Sequence, residues 1–308
     1  MVDASILIPC KNAGKNFEKT LAALSRQKSV SFEIIAVDSG SSDSTVSLAK
    51  KHGARIFKIA PSDYGHGKTR NYAASKAKGR FLVFLTQDAI PVNDRWLSRL
   101  LSAYSNPQVV ASYGRQTAFS DASPFEKFFY SYCYPASSSV WPDSKPSQET
   151  VIFSNANSSI RASAFEKQRF STDKLVSEDY DWAYRALAKG GKIAYVPAAE
   201  VLHSHEHGLA DMFRRYFDIG YSYSRIYSGF QSGSFAVKGL HFVLSELSFL
   251  ASSGNFLLLP YAVVRESAKG LGLFLGKNHS LLPLSLKLAF TSHKRLLLDA
   301  EKQSGGKK

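Results

Sequence analysis

Residues 80–91 read Arg-Phe-Leu-Val-Phe-Leu-Thr-Gln-Asp-Ala-Ile-Pro, and Gly79 stands directly before them. Leu82, Val83, Phe84 and Leu85 form an unbroken apolar run, the pattern of a parallel strand buried on both faces. The run stops abruptly at Thr86, Gln87 and Asp88. In an open α/β sheet, ligands bind in the crevice beyond the carboxyl ends of the strands. A carboxylate at that position is placed to hold a metal ion or a ligand hydroxyl, or else to cap the next helix.

The sequence before this run alternates strands and helices. Residues 4–9 read as a first strand that Pro9 breaks, and Phe17, Leu21 and Leu24 fall at helical spacing behind it. Phe32–Val37 is a second buried strand, leading into Asp38-Ser39-Gly40-Ser41-Ser42-Asp43. Ser42 or Asp43 is suited to cap the following helix, and Gly53 to end it. Residues 54–59 make a third strand, and 68–78 a short helix closed by Gly79. Such alternation argues a parallel sheet built through right-handed crossovers.

Beyond the central strand, residues 96–104 read as a helix and 109–113 as a strand. Residues 119–150 read as irregular, aromatic-rich surface segments, and Asn155 and Asn157 fall near a turn in 151–160. A helix over 178–189, stopped by Gly190-Gly191, precedes short strands at 192–196 and 200–203. From about Leu209 the period is helical up to Leu298, and Gln303–Lys308 reads as a frayed tail. The expected organisation is therefore an α/β domain over residues 1–208 and a helical region over 209–308.

Composition narrows the partners. Formal charge is +14, from 39 basic and 25 acidic residues, which suits phosphorylated small molecules, an anionic membrane surface or nucleic acid. Basic runs interleaved with stacking aromatics, zinc-finger spacing and RNP motifs are all missing, so nucleic acid is not expected. Cys10 and Cys133 form neither a metal pattern nor a disulfide framework, which suits a reducing compartment. The chain enters its first strand at once, so no signal peptide is expected. Residues 239–308 hold nine Lys/Arg and four Asp/Glu beside many Leu and Phe. Their longest charge-free apolar run, 247–264, is interrupted by Ser, Gly, Asn and Pro and falls short of the ~20 residues a spanning helix needs. These helices are expected to lie on an anionic bilayer, or to pack against the α/β domain or a second copy.

Several groups bear chemistry. Asp38, at a strand end among small residues, can accept hydrogen bonds from a ribose or a base, or satisfy its own loop amides. His66, Lys68 and Arg70 cluster in the glycine-containing segment 61–71, where diphosphate recognition is possible. Glu178, Asp179 and Asp181 open a helix; acids there meet the helix dipole, and one facing the cleft can act as general base. His203 and His205 alternate at a strand end and can join Asp88 around a metal. Arg214 and Arg215 follow, able to neutralise a diphosphate or an acceptor phosphate, or forming a solvated face.

In this order the pieces resemble glycosyltransferase family 2, the inverting GT-A enzymes. The opening ILIPCKNAGKNFEKTLAAL is similar to that family's first strand and helix, and EIIAVDSGSSDST to its nucleotide-binding strand and loop. The stretch GHGKTRNYAASKAKGRFLVFLTQDAIP is similar to its rhamnosyltransferase-like members. The resemblance spans roughly residues 4–220 and implies a Rossmann-like, mostly parallel GT-A sheet.

It further implies a nucleotide-sugar donor, dTDP-L-rhamnose or a UDP-sugar, held by Pro9, Asp38, Ser39, His66, Lys68, Arg70, Gln87 and Asp88. Asp88, with His203 or His205, would hold Mg²⁺ or Mn²⁺. Asp179 of the Glu178-Asp179 pair would be the base. The acceptor would be a saccharide, lipid-linked or free, in cell-surface polysaccharide synthesis such as O-antigen, at the inner face of the cytoplasmic membrane, and the C-terminal helices would offer a homodimer surface. Thr86-Gln87-Asp88 stands where the family often has Asp-x-Asp, so contacts of the first carboxylate pass to a hydroxyl or to other groups. A sugar nucleotidylyltransferase would show a richer Gly/Arg/Lys loop after the first strand than Cys10–Gly14. A non-catalytic nucleotide-sugar scaffold would need no base.

Overall fold

The computed structural model describes residues 2–137, 139–141, 152–226 and 232–305, with the backbone alone described for 139–141, 232–236 and 303–305. The chain divides into two compact units. The first comprises Met1–Ser120, Tyr130–Ser171 and Asp179–Ser204; the second comprises Asp121–Phe129, Thr172–Glu178 and His205–Lys308.

The elements run β1 (Ala4–Cys10), α1 (Gly14–Ser25), β2 (Phe32–Asp38), α2 (Thr45–Lys51), β3 (Arg55–Lys58), α3 (His66–Ser75), β4 (Phe81–Leu85), β5 (Ile90–Pro91), α4 (Trp96–Ser102), β6 (Val109–Thr117), α5 (Pro124–Cys133), β7 (Ser139–Trp141), β8 (Asn157–Arg161), α6 (Ala162–Lys167), α7 (Glu178–Ala188) and β9 (Lys192–Leu202). Five helices follow: α8 (Leu209–Ile226), α9 (Ser232–Ser252), α10 (Leu259–Lys277), α11 (Leu284–Phe290) and α12 (Lys294–Gly305).

One sheet runs in the order β3-β2-β1-β4-β8-β6-β9-β5, with β7 paired to β9. The four strands read first from the sequence are all mutually parallel, β1 lying between β2 and β4. Their apolar residues are buried on both faces: Ile6, Leu7, Ile8, Ile35, Val37, Val83, Phe84 and Leu85 are closed off from solvent. Gly79 earns its place through close approach, because a Cβ there would lie 2.5 Å from the Ala4 carbonyl carbon and the Ser5 nitrogen. Beyond β4 the sheet is mixed. β8 runs antiparallel to both β4 and β6, while β6 and β9 are parallel. No strand–helix–strand crossover joins β4 to β8, so nothing constrains that neighbour to run parallel.

Five local expectations are corrected. Pro9 lies inside β1: by this point β4 has stopped pairing and only β2 remains alongside, so the missing N–H costs no ladder bond on the β4 side. The helix expected over 68–78 runs instead over His66–Ser75, absorbing much of the segment read as a loop. Gly67 allows this early start, since a Cβ there would lie 2.1 Å from the Ser171 carbonyl oxygen. The aromatic stretch read as irregular holds α5 and β7; Pro124 at the first helical position and Phe125 and Phe128 at i, i+3 are the helix signal. Residues 142–150 of that stretch, and Val151 after it, lie outside the described residues. The two short strands at 192–196 and 200–203 are one strand, β9, whose register against β6 shifts between Gly114/Val196 and Gln116/Val201. Finally, α12 carries the helix to Gly305, with residues 306–308 outside the description.

The helical region from Leu209 onward is observed as expected. Within the second unit, α8 and α10 pack at close range through glycines. A Cβ at Gly276 would sit 2.0 Å from the Phe217 carbonyl oxygen, and one at Gly272 2.4 Å from that of Phe213. Among the described residues, no helix is long and apolar enough to cross a membrane.

Candidate active site

The carboxyl ends of β1, β2 and β4 meet in a tightly hydrogen-bonded floor. The backbone N–H of Lys11 donates to the Gln87 side-chain oxygen at 2.9 Å, tying the loop after β1 to that after β4. Asn12 N–H donates to Ser41 Oγ at 2.9 Å, and Ser42 N–H to Asn12 Oδ1 at 2.9 Å, tying it to the loop after β2. Asn12 itself adopts φ +45°, in the left-handed region. Asp38 is buried and accepts from the amides of Gly40 at 3.2 Å and Ser41 at 3.2 and 3.3 Å. The carboxylate thus shapes its own loop. Ser39 is buried and its N–H donates to the Cys10 carbonyl at 3.0 Å, while Pro9 is half-buried beside Val37. Burial and then the Asp38 charge push the Cys10 thiol up to about 12, so this cysteine stays a neutral packing group.

The basic cluster separates in three dimensions. Lys68 is exposed and pairs with Asp63 at 3.1 Å. Arg70 is buried, with Nη1 donating to the His66 carbonyl one turn earlier at 3.3 Å. The Nδ1 of His66 lies 3.3 Å from the Tyr64 hydroxyl.

Asp88 and His203 are brought together by sheet register. Ile90 pairs with Leu202, so Asp88, two residues before one, and His203, one residue after the other, converge. Asp88 Oδ1 lies 3.5 Å from His203 Nε2. The opposite ring nitrogen, Nδ1, lies 2.8 Å from Gln116 Oε1 and 3.3 Å from the Tyr130 hydroxyl. Gln116 Nε2 lies 2.7 Å from the Tyr134 hydroxyl, with Oε1 on the histidine side. With Nδ1 donating to Gln116, Nε2 presents its lone pair to the Asp88 carboxylate, the tautomer a metal ligand needs. Two acceptors face each other at this separation, an arrangement a cation reconciles. His205 follows two residues on in the chain, at the start of the second unit. This is an Asp/His site with a donor set suited to a divalent cation.

Thr86, where the first carboxylate of an Asp-x-Asp would stand, presents a buried hydroxyl oxygen that has no hydrogen-bond partner among the described residues. Buried polar atoms are nearly always satisfied, so an orphan at a strand's carboxyl end marks a place for a ligand atom.

Of the three acids at the start of α7, geometry separates two. Asp181 is buried, bonded to the Ser171 hydroxyl and held by Arg185 at 2.8 and 3.0 Å, which commits it to structure. Asp179 is half-buried; Oδ2 accepts from the Asn155 amide at 3.0 Å and Oδ1 from the Tyr180 amide at 2.9 Å. Asn155 lies two residues before Asn157, which pairs with Leu85 at the end of β4. That bond anchors Asp179 beside the end of β4. Glu178, Arg214 and Arg215 belong to the second unit. There Glu178 is buried at the head of α7, and Arg214 and Arg215 are exposed, Arg214 lying 3.7 Å from Asp211. Sequence reading missed Gln116 and Tyr134, and singled out Asn155 and Asn157 near a turn without giving them a role. Asn157 is fully buried, accepting from Trp96 Nε1 at 2.9 Å and donating to the carbonyls of Arg115 and Ala199 at 3.0 and 2.8 Å. Their only sequence signal was polarity within a strand pattern.

Residues 5–168 match the model of glycosyl transferase family 2. The chain belongs to that family. As a family 2 enzyme it is an inverting glycosyltransferase, which sets the scaffold reading aside. It is 34% identical over 299 residues to the O-antigen chain rhamnosyltransferase RfbN of Salmonella typhimurium, covering 94% of each chain. It is also 34% identical to the O-antigen chain rhamnosyltransferase WbaN of Salmonella anatum, over 96% of this chain and 95% of that one. Among solved structures, the fold is similar to that of a mannosyltransferase from Pyrobaculum calidifontis in complex with GDP-Man and Mn²⁺. The TM-score is 0.57 at 16% identity, over 100% of this chain and 90% of that one. The GT-A-like architecture with a C-terminal helical region is thereby established.

Proposed function

We propose that this family 2 transferase moves L-rhamnose from dTDP-L-rhamnose to a saccharide acceptor, lipid-linked, in O-antigen-type polysaccharide assembly at the inner face of the cytoplasmic membrane. The observation that carries the reading is the end-to-end similarity to two O-antigen rhamnosyltransferases. The site geometry supports the chemistry. Asp179 takes the proton from an acceptor hydroxyl. The freed oxygen attacks the anomeric carbon, forming the new glycosidic C–O bond as the bond to the diphosphate oxygen breaks on the opposite face, and configuration inverts. The amide bonds from Asn155 and Tyr180 hold the Asp179 carboxylate in place for that transfer.

Asp88 and His203, with His205 two residues on, would hold a divalent cation, Mn²⁺ suiting the imidazole nitrogens better than Mg²⁺. When bound, the ion would supply charge neutralisation for the departing diphosphate. Thr86 and the floor formed by Pro9, Asp38, Ser39 and Gln87 would receive the nucleoside, and of the basic segment Arg70 and His66 would serve the phosphates, Lys68 being turned to Asp63. Calorimetry with dTDP, UDP and GDP, in Mn²⁺ and in EDTA, tests the proposal. Mn²⁺-dependent preference for dTDP is expected. Preference for UDP overturns the donor assignment, and equal affinity in EDTA overturns the metal site.

A further inference from the structure

The second unit is turned inside out between α9 and α11. Residues 247–286 include four Asp, Glu, Lys or Arg residues, Arg265, Glu266, Lys269 and Lys277, and none of them is exposed. Arg265 and Lys269 are only 5% and 6% exposed. They sit in a buried charge network: Arg265 reaches Glu126 at 3.5 Å and Glu246 at 4.0 Å, and Lys269 pairs with Glu266. Arg265 also stacks over Phe125, and Lys269 lies over Tyr216 and Phe242.

The outer face is aliphatic and aromatic. On α10, Tyr261, Val264, Leu271 and Phe274 point outward at helical spacing, while Ala262, Arg265, Lys269, Gly272 and Gly276 point inward. At the turn between α9 and α10, Phe256 is 61% and Leu257 82% exposed. On α9, Val237, Leu240 and Leu244 continue the face. A soluble helix places its charges outward and its apolar stripe inward; along α10 the order is reversed, and the turn before it and the outer side of α9 extend the apolar face. Contiguous apolar surface of this kind marks a protein or membrane contact.

We infer that the α9–α10 hairpin inserts into the lipid bilayer from one side, with Phe256 and Leu257 at its leading tip. Three observations favour lipid over a second copy of the chain. Protein interfaces carry a polar, charged rim around their apolar core, whereas residues 247–286 expose no charge at all. The exposed Lys238 lies near the start of α9, at the end of the hairpin opposite the tip, where anionic headgroups complement it. Neither helix is long and apolar enough to span, so insertion is shallow, one-sided and driven by apolar burial. The inference is independent of the donor sugar and of the metal site.

Flotation of the full-length chain with vesicles of phosphatidylcholine, alone and with a minority of phosphatidylglycerol, tests it. Binding should persist in part at about 1 M salt, where the screening length is only ~3 Å. Phe256→Asp and Leu257→Asp should each lower partitioning roughly tenfold or more, with the melting temperature unchanged because both side chains are exposed. In Leu257→Trp the indole emission should shift to the blue on adding vesicles and be quenched by brominated lipid. Binding that vanishes in salt and ignores both aspartate variants would overturn insertion in favour of simple adsorption. No vesicle binding, together with a dimer in sedimentation that Phe274→Asp splits, would overturn it in favour of a second copy.

Discussion

The two units bury polar groups for opposite purposes. In the α/β unit, buried or half-buried polar side chains gather where strands end. Asp88 faces His203, Thr86 keeps an unsatisfied hydroxyl, and Asp179 is aimed by two amides. In the helical unit, while Glu246 lies 4.0 Å from Arg265 with neither carboxylate oxygen hydrogen-bonded among the described residues, most buried charges pair with one another: Arg265 with Glu126, Lys269 with Glu266, and Lys287 with Glu301 at 2.7 Å. Asp218 likewise accepts from Thr291 Oγ1 and, at 3.0 Å, from the Ser292 amide. The contrast teaches that neither a buried charge nor an orphaned oxygen marks a site by itself, since Glu246 has both; standing together at the carboxyl ends of the strands is what distinguishes the first group.

Asp179→Asn should separate the two kinds of buried acid most sharply. Turnover should fall about 10²–10⁴-fold, the usual worth of a positioned base, while calorimetric nucleotide binding stays near that of the parent; unchanged turnover would remove Asp179 from the reaction. Next in size is the support of the histidine. Gln116→Leu removes the acceptor that holds the His203 proton on Nδ1, and Mn²⁺ affinity should weaken roughly 10–100-fold. The ¹⁵N shifts of the His203 ring in the metal-free protein would report the lost tautomer bias directly, a change that a merely structural role for Gln116 would not produce.

In the helical unit the effects should fall on stability. Gly276→Val drives a branched side chain into the Phe217 carbonyl; a loss of about 1–3 kcal/mol or more is expected in denaturant titrations, as for overpacking generally. Normal stability would mean that α8 and α10 are not in close contact in solution. Glu246 is pushed up to about 7 by burial and then by the neighbouring Glu266 charge. Its folded form therefore keeps a proton that the unfolded chain releases near its ordinary 4.5, so its contribution weakens stability as pH rises from about 4.5 to 7. Glu246→Gln should flatten that part of the stability–pH curve, and an unaltered curve would disprove the shift. The smallest effect belongs to Leu257→Asp, which should change unfolding free energy by no more than about 0.5 kcal/mol, as exposed substitutions do, despite its large effect on vesicle binding.

The parallel half of the sheet was legible in the sequence because each strand is buried on both faces and reads as a continuous apolar run. The helices after Leu209 were legible from their period. Asp38, Asp88 and Asp179 were legible too, each standing where an element begins or ends. In the mixed half, parts of β6 and β9 were legible but β8 was not: Asn157, Ser158 and Ser159 are buried polar residues, satisfied by partners such as Trp96 and Tyr104 more than fifty positions away, so their segment carries no apolar signature.

The sequence by itself therefore determined the strand–helix alternation, the carboxylates at element ends and the family, since these depend on neighbours along the chain. Only the tertiary structure decided which acid is spent on Arg185, which nitrogen of His203 faces Asp88, and that Arg265 and Lys269 point inward while Phe256 and Leu257 point out. Composition records how many charges and apolar groups a helix has; which side of it meets solvent is fixed by the partners that arrive from elsewhere in the chain.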